Sequence, residues 1–568
     1  MTSGVMALAG VARKKVKVVF QPSGLRVDVP RGTDILSAAR IAGLHLGGAC
    51  GGTGSCGRCR VLLVEGRRKR TVLACRHVPA SAATVEITDD SISGAAQILE
   101  EGVFVNVAPR PSARLETDGG MTFLVRGEDG ERVRLPSRPA RCLGVALDMG
   151  TTTLVATLFD LASGRRLAVA SAIDPQVAMG EDVISRIQLA VSDPKASVEL
   201  RECLVSGLDR LLRAVCAGAR ASPGLVFDIC AVGNTYMHHS FLGLPLGSLA
   251  EAPYSPASTA AREMAAGATG LRVNRNARAF LPPVMAGFLG SDALAGALAA
   301  GMDNVQAPTL YLDLGTNGEM LLAHDGNIVG ATSASGPAFE GAKIECGMRA
   351  AEGAIDAVKI VGKPAAGSRQ QAAGDPSRLR VGSSTFKIST IGGKPARGIA
   401  GSGLVDAAAA LLDAGALDRR GSLSKSHPLV TVEGRGPMVV LSSRPRRIYL
   451  SQADIRNLQL AKAAVAAGTR VLLERAGMDF EELDRVLLAG AFGNYMDRRS
   501  ALRIGLLPPV EEERVLGLGN AASTGAGMML VSVDQRRRAL ELARKISYVE
   551  LAGDGRFREL FVDCLAFP

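Results

Sequence analysis

Leu143-Gly-Val-Ala-Leu-Asp148-Met-Gly150-Thr151-Thr152-Thr153, followed by the apolar run Leu154–Phe159, is the stretch on which the fold turns. It reads as a strand, a tight glycine turn and a returning strand. Backbone N–H groups and hydroxyls in such a turn can cradle phosphate, and Asp148 at the strand end can hold a hydrated Mg2+. The pattern recurs 165 residues later as Thr309-Leu-Tyr-Leu-Asp313-Leu-Gly315-Thr316-Asn317-Gly318-Glu319. A third apolar strand enters glycines at Val486-Leu-Leu-Ala-Gly490-Ala-Phe-Gly493, as expected where backbone passes close to adenosine. Gly525-Ala-Gly527 lies in a small-residue run that could close the same pocket. One glycine turn alone is as readily an ordinary β-hairpin. Three in order, at domain-scale spacing, make a nucleotide site.

Two such turns from two half-domains, facing each other over one nucleotide, describe the actin/Hsp70/sugar-kinase arrangement, a duplicated ribonuclease H-like fold. The expected class is therefore α/β and multidomain, with an ATPase region over 141–568 whose halves are about 141–305 and 306–568. Gly401-Ser-Gly403-Leu-Val-Asp406, ahead of an alanine-rich helix, suits a connecting helix of the second half. Val232-Gly-Asn234-Thr235-Tyr-Met-His238-His239 has the matching place in the first. His238 and His239 invite a metal reading, but no third ligand lies near them in sequence, and a packed pair is the expectation.

Working back toward the N-terminus, Cys50-Gly-Gly-Thr-Gly-Ser-Cys56-Gly-Arg-Cys59 and a later Cys75 set four thiols in a glycine-rich segment. Three thiolates from one loop and a later fourth is how plant-type 2Fe-2S sites are built. The glycines let backbone N–H groups approach bridging sulfides and adopt positive φ where a side chain would clash. A structural zinc site also uses Cys-x-x-Cys but has no use for so many glycines. His45 and His77 flank the segment, yet four spaced cysteines leave no vacancy for a Rieske-type pair. Lys15–Phe20 and Leu25–Val29 read as strands around Pro22-Ser23-Gly24. Asp34–Ala42 reads as a helix with Thr33 as N-cap and Gly43 as its stop, and Arg60–Val64 as a strand. That order is a ferredoxin-like β-grasp domain over 1–93, and 94–140, with Pro109, Pro111, Pro136 and Pro139, reads as a short linker.

The chain has 568 residues, 47% of them hydrophobic, enough for several buried cores. The remaining cysteines, Cys142, Cys203, Cys216, Cys230, Cys346 and Cys564, sit in apolar surroundings and read as buried thiols of a reducing compartment. No signal peptide and no apolar run of bilayer length are seen, so a soluble cytoplasmic protein is expected. The net charge of +11 is carried largely by arginine through the sequence; with 4% aromatics and no nucleic-acid motif, nucleic acid is not the expected partner. Arg67-Arg68-Lys69-Arg70 lies between the third and fourth cluster cysteines. It reads either as a solvated turn or as a docking patch for an acidic redox partner. Gly362–Ser384 reads as a surface insertion.

Taken together, these motifs resemble the reductive activators of corrinoid-dependent methyltransferases and corrinoid iron–sulfur proteins. The resemblance extends to Gly180-Glu-Asp-Val-Ile-Ser-Arg186, Gly233-Asn-Thr, Ser335-Gly-Pro-Ala-Phe-Glu340-Gly, Gln452-Ala-Asp-Ile-Arg456-Asn-Leu-Gln459-Leu-Ala-Lys462, Leu488-Ala-Gly-Ala-Phe-Gly-Asn-Tyr495 and Phe561-Val-Asp-Cys-Leu-Ala-Phe-Pro568. It implies an ATP-hydrolysing redox enzyme that returns an inactive Co(II) corrinoid carrier to Co(I), using a 2Fe-2S cluster, ATP and Mg2+. By the family's pattern Cys50, Cys56, Cys59 and Cys75 hold the cluster. Thr151, Thr152, Thr153, Gly315, Thr316, Asn317, Gly490 and Gly493 bind nucleotide. Asp148, Asp313 and Glu319 act in catalysis, with Glu340 a further candidate for ordering the hydrolytic water. The implied partners are a corrinoid-binding methyl carrier, a low-potential electron donor and a second copy of the chain; the shortness of the linker bears against that dimer. The alternatives are an electron donor to another low-potential client such as an acyl-CoA dehydratase, a redox-sensing small-molecule kinase, and a nucleotide-dependent scaffold.

Overall fold

The computed structural model describes residues 15–21, 25–42, 59–65, 68–86, 107–127, 130–341, 343–361, 386–434 and 436–568. The chain divides into two compact units, Met1–Gly94 with Pro175–Glu181, and Ala95–Asp174 with Asp182–Pro568.

In the first unit, strands β1 (Lys15–Gln21), β2 (Leu25–Pro30), β3 (Arg60–Glu65), β4 (Arg68–Leu73) and β5 (Ala83–Glu86) form one sheet in the order β2-β1-β5-β3-β4. β1 and β5 run parallel and the other neighbours antiparallel. Alternation fixes the faces: Val16, Val18, Phe20, Val61, Leu63 and Val85 are buried with Ile35, Leu36 and Ala39 of helix α1 (Ile35–Ile41). The sheet with one helix across it is the β-grasp arrangement of ferredoxin-like domains. Asp34, not Thr33, caps α1: its carboxylate accepts the Ser37 N–H at 2.9 Å and the Ser37 hydroxyl at 2.6 Å. The Thr33 hydroxyl instead donates to the Pro30 carbonyl at 2.7 Å. Gly43 lies outside the described residues.

The stretch expected as a linker over 94–140 is structured where it is described. Ala113–Asp118, Met121–Arg126 and Glu131–Arg134 form a three-stranded antiparallel sheet. Ala113, Leu124 and Leu135 are buried in the same core as Phe227 and Phe280. The prolines that suggested a connector flank these strands rather than interrupt them, and Gly119 and Gly120, at φ 54° and 77°, turn the first hairpin.

The remainder is built twice. In the first lobe Leu143–Met149, Thr153–Asp160 and Arg166–Ile173 form an antiparallel meander. Val226–Gly233 then pairs parallel with the meander's first strand, and Arg278–Leu281 pairs parallel with that. The second lobe repeats this with Thr309–Leu314, Gly318–His324 and Asn327–Ser333, followed by the parallel strands Arg485–Ala489 and Val515–Gly519. This repeat is the duplicated actin-like fold. The lobes exchange helices at their boundary: Ala521–Val531, which follows the last core strand of the second sheet, packs on the first sheet and on helix Ser291–Ala299. A Cβ on Gly525 would come within 1.9 Å of the Ala295 carbonyl, and one on Gly527 within 2.8 Å of the Phe159 ring. These glycines therefore allow the helix crossing and do not close the pocket as expected. Among the described residues no helix is long and apolar enough to cross a membrane.

Candidate functional site

The buried strands Leu143–Met149 and Thr309–Leu314 each end at the mouth of one cleft of about 260 Å³. In the first turn the Gly150 N–H donates to the Thr153 carbonyl at 3.0 Å, and a Cβ on Gly150 would sit 2.7 Å from that oxygen. In the second the Gly315 N–H donates to Asn317 at 2.9 Å. The first turn is braced from behind. Arg186 donates to the Thr151 carbonyl at 2.6 Å and to Asp174 at 2.7 Å, both side chains fully buried, while the Asp174 N–H donates to the Thr152 carbonyl at 2.9 Å. Asn234 donates to the Thr151 hydroxyl at 2.8 Å and caps helix Thr235–Leu242.

The two turns meet at their hydroxyls. Thr152 Oγ1 lies 3.4 Å from Thr316 Oγ1, and both donate to Glu340, Thr152 to Oε2 at 3.1 Å and Thr316 to Oε1. The segment leading to Glu340 also holds the second glycine turn, for Ser335 Oγ donates to the Gly315 and Thr316 carbonyls at 3.3 Å. One carboxylate thus bridges both lobes.

Four further carboxylates line the cleft: Asp148, Asp292, Asp313 and Glu319. Asp148 accepts from Asn520 Nδ2 at 3.0 Å, Asp313 from the Tyr311 hydroxyl at 3.2 Å, and Glu319 stands opposite Asp313 in the strand register. Burial pushes Asp148 up to about 6, helped by Asp313 and opposed by the Asn520 hydrogen bond. Burial likewise lifts Asp313 to about 6, Asp292 to about 7, and Glu319 well above the ordinary value. Such crowding of carboxyls is the environment a cation relieves. Among the described residues no three His, Cys, Asp or Glu side chains converge as direct metal ligands.

At the other side of the cleft Phe339 and Phe492 stack at 4.6 Å, beside Gly401, Ser402, Arg349 and Tyr495. Gly490 has φ +82°, and a Cβ there would lie 2.6 Å from Asp313 Oδ1. All the expected nucleotide residues line the cleft except Gly493, which sits further along helix Gly490–Tyr495. Sequence reasoning missed Asp292, Asn520 and Arg349. Asp292 had a signal in Gly290-Ser291-Asp292 opening a small-residue helix; Asn520 had one as the N-cap of Ala521–Val531.

Cys59 and Cys75 stand at the two ends of the β3–β4 hairpin, joined by the Ala74 N–H donating to the Cys59 carbonyl at 2.8 Å. Their sulfurs are 3.3 Å apart and not in a disulfide, a spacing that fits two thiolates on one small cluster. Cys50 and Cys56 lie outside the described residues. His238 and His239 are buried with ring centroids 6.0 Å apart, and burial lowers both, His238 to about 4, as a packed pair requires. The Gln452–Lys462 and C-terminal motifs meet: Gln459 donates to the Leu565 carbonyl at 2.7 Å, and Lys462 donates to Ala566 and lies 5.2 Å over the Phe567 ring.

Comparison with known proteins agrees with this anatomy. Residues 18–80 match the 2Fe-2S iron-sulfur cluster binding domain, 143–305 the RACo middle region, and 307–568 the C-terminal domain of RACo, described as the ASKHA domain. The chain is 29% identical to the corrinoid activation enzyme RamQ of Eubacterium limosum over 609 aligned residues, covering 96% of this chain and 98% of that one. It is 28% identical to the [Co(II) methylated amine-specific corrinoid protein] reductase of Methanosarcina barkeri over 275 residues, 48% of each. A solved structure of a reductive activator for corrinoid, iron-sulfur protein superposes with a TM-score of 0.71 and 29% identity, covering 97% of this chain and 98% of that one. Matched in succession along its length, the chain is similar to the reductive activators of corrinoid proteins that its motifs resemble, and these matches support that reading.

Proposed function

We propose that this chain reduces the Co(II) corrinoid of a methyl-carrier protein to Co(I) by one electron, in a reaction driven by ATP. The observation that carries the nucleotide half is the bridge at Glu340, where hydroxyls from both phosphate turns converge on one carboxylate. Those hydroxyls are the donors a terminal phosphate needs. A phosphate arriving there repels the Glu340 carboxylate by about 4 kcal/mol at 4 Å and an effective dielectric of 20, so ATP entry drives Glu340 off Thr152 and Thr316. Released but still tethered beside the phosphates, Glu340 is placed to accept a hydrogen bond from attacking water. Asp148 and Asp313 would hold a hydrated Mg2+, which would neutralise phosphate charge, and Asp292 and Glu319 add negative charge to the same cleft. The stacked Phe339 and Phe492 and the backbone at Gly490 and Gly401 border the nucleoside.

Bound by Cys50, Cys56, Cys59 and Cys75, a 2Fe-2S cluster supplies a one-electron store at about −400 mV. Reducing a corrinoid whose potential lies lower by about 100 mV costs about 2.3 kcal/mol per electron. A lobe arrangement that holds the carrier about fiftyfold more tightly as Co(I) than as Co(II) covers that gap. ATP acts by selecting the arrangement, through closure of the lobes on its phosphates.

The test is ATP turnover by the full chain with a corrinoid carrier protein poised in each cobalt state. Phosphate release stimulated by the Co(II) carrier and not by the methylated carrier supports the reading. Turnover indifferent to the carrier contradicts it.

A further inference from the structure

The charge of the molecule is not evenly spread. Residues 15–86 hold twelve Lys and Arg against four Asp and Glu, which is +8 of the chain's +11. The strand registers place much of it on one surface. Arg26, Val19, Thr84, Val64 and Lys69 are successive partners across all five strands, so they form one rank on the sheet face away from α1. Lys15 and Lys17 alternate with buried Val16 and Val18, and Arg60 with buried Val61, which sets them on that same face. All five basic residues are exposed, whereas Val19, Leu62 and Val64 between them are half-buried. Among the described residues of these strands the acidic side chains on that face are Asp28 and Glu86, and Glu86 is joined to Lys69 at 2.9 Å.

Blunting of sheet edges by lysine accounts for Lys69 on edge strand β4, but not for Lys15, Lys17 and Arg60, which lie on interior strands. Arg60 directly follows the cluster cysteine Cys59. We propose that this face, an apolar centre within a basic surround whose Arg60 adjoins Cys59 in the chain, is the docking surface for an acidic electron-carrier protein of the flavodoxin or ferredoxin type that delivers the electron. The inference rests on the redox reading above. Five strands about 4.8 Å apart and four to seven residues long present roughly 24 by 20 Å, about 1,000 Å² counting both partners. That is the size of a transient electron-transfer encounter and less than a stable complex buries. Steering by charge speeds such encounters, which must form and break at each turnover. In the step itself the reduced carrier loses one electron and the oxidised chain gains it.

The probe is an acidic flavodoxin, and the variant is Lys15→Glu/Lys17→Glu/Arg26→Glu in the full chain, with Lys15→Gln/Lys17→Gln as a milder companion. Binding of oxidised flavodoxin is followed by fluorescence anisotropy, and cluster reduction by reduced flavodoxin by stopped flow. At about 10 mM ionic strength the charge-reversed variant is expected to bind at least about 30-fold more weakly and to be reduced correspondingly more slowly. The milder variant falls between, and all three proteins converge at about 0.5 M salt. Reduction by a small uncharged chemical reductant stays unchanged, which shows the cluster domain folded. Equal binding of wild type and variants at low salt overturns the proposal, as does no binding by wild type. If flavodoxin is unaffected but the chemically reduced variant no longer activates a corrinoid carrier, the face belongs to the carrier and the proposal is again overturned. Failure of chemically reduced wild type to form Co(I) with MgATP would instead count against the redox reading alone.

Discussion

Each carboxyl of the cleft has a defined support, and the supports differ in how they read from sequence. Asp148 and Asp313 were legible because strand, acid and glycine are contiguous. Asp292 and Asn520 were not, since they reach Asp148 and Asp313 from helices whose position only the tertiary fold sets. Asp148→Asn or Asp313→Asn is expected to lower carrier-stimulated ATP turnover by at least about 100-fold while leaving the visible spectrum of the cluster intact; retained turnover in either would misplace the cation. Gly490→Ala puts a methyl 2.6 Å from Asp313 Oδ1 at φ +82°, so it should weaken MgATP binding and cost about 1–3 kcal/mol of stability. Calorimetry and urea melts would check both. The raised carboxyl values also fix a pH dependence. Because Asp148, Asp313 and Asp292 hold protons up to about 6, 6 and 7 in the fold, the nucleotide-free protein loses stability as pH rises through that window. MgATP binding must displace those protons, so its affinity falls by up to about tenfold per unit for each proton displaced, as pH drops below about 7 for Asp292 and about 6 for Asp148 and Asp313. Titration calorimetry in buffers of different ionisation heat should record proton release; none at pH 6 would contradict the assignment.

Elements carry the next layer. The glycines at 525 and 527 looked like pocket glycines because small residues at close contacts look alike in sequence, whether the neighbour is a ligand or another helix. Gly525→Ala is therefore expected to destabilise by about 1–3 kcal/mol through the Ala295 carbonyl, and to loosen Asn520 at the start of the same helix. Urea denaturation with unchanged direct nucleotide contacts would check this. The stretch 113–134 was read as linker because its flanking prolines outweighed short strands of modest alternation, which contact with the Phe227 and Phe280 core stabilises. The C-terminal residues form another such element. Phe567 is 1% exposed beneath Lys462, and Phe567→Ala should cost about 3–5 kcal/mol and lower the melting temperature of the nucleotide lobes. A change under 1 kcal/mol would mean the tail is not part of that cooperative unit.

For the whole molecule, the duplicated topology was the most legible feature, since two acid-x-glycine-threonine turns 165 residues apart call for two similar sheets. Less legible was how the halves interlock, because Ala521–Val531 belongs by sequence to the second lobe and packs on the first. Net charge also misled when read as evenly distributed, for most of it resides in the small N-terminal unit. In the proposed function a nucleotide cleft and a one-electron centre on one chain serve one reaction. The most direct measurement is anaerobic absorption spectroscopy of a Co(II) corrinoid carrier mixed with the chemically reduced chain, with and without MgATP. A Co(I) band is expected that grows with MgATP, stays absent without it, and stays absent for Asp313→Asn. Co(I) formed equally with and without nucleotide, or by Asp313→Asn as readily as by wild type, would contradict it.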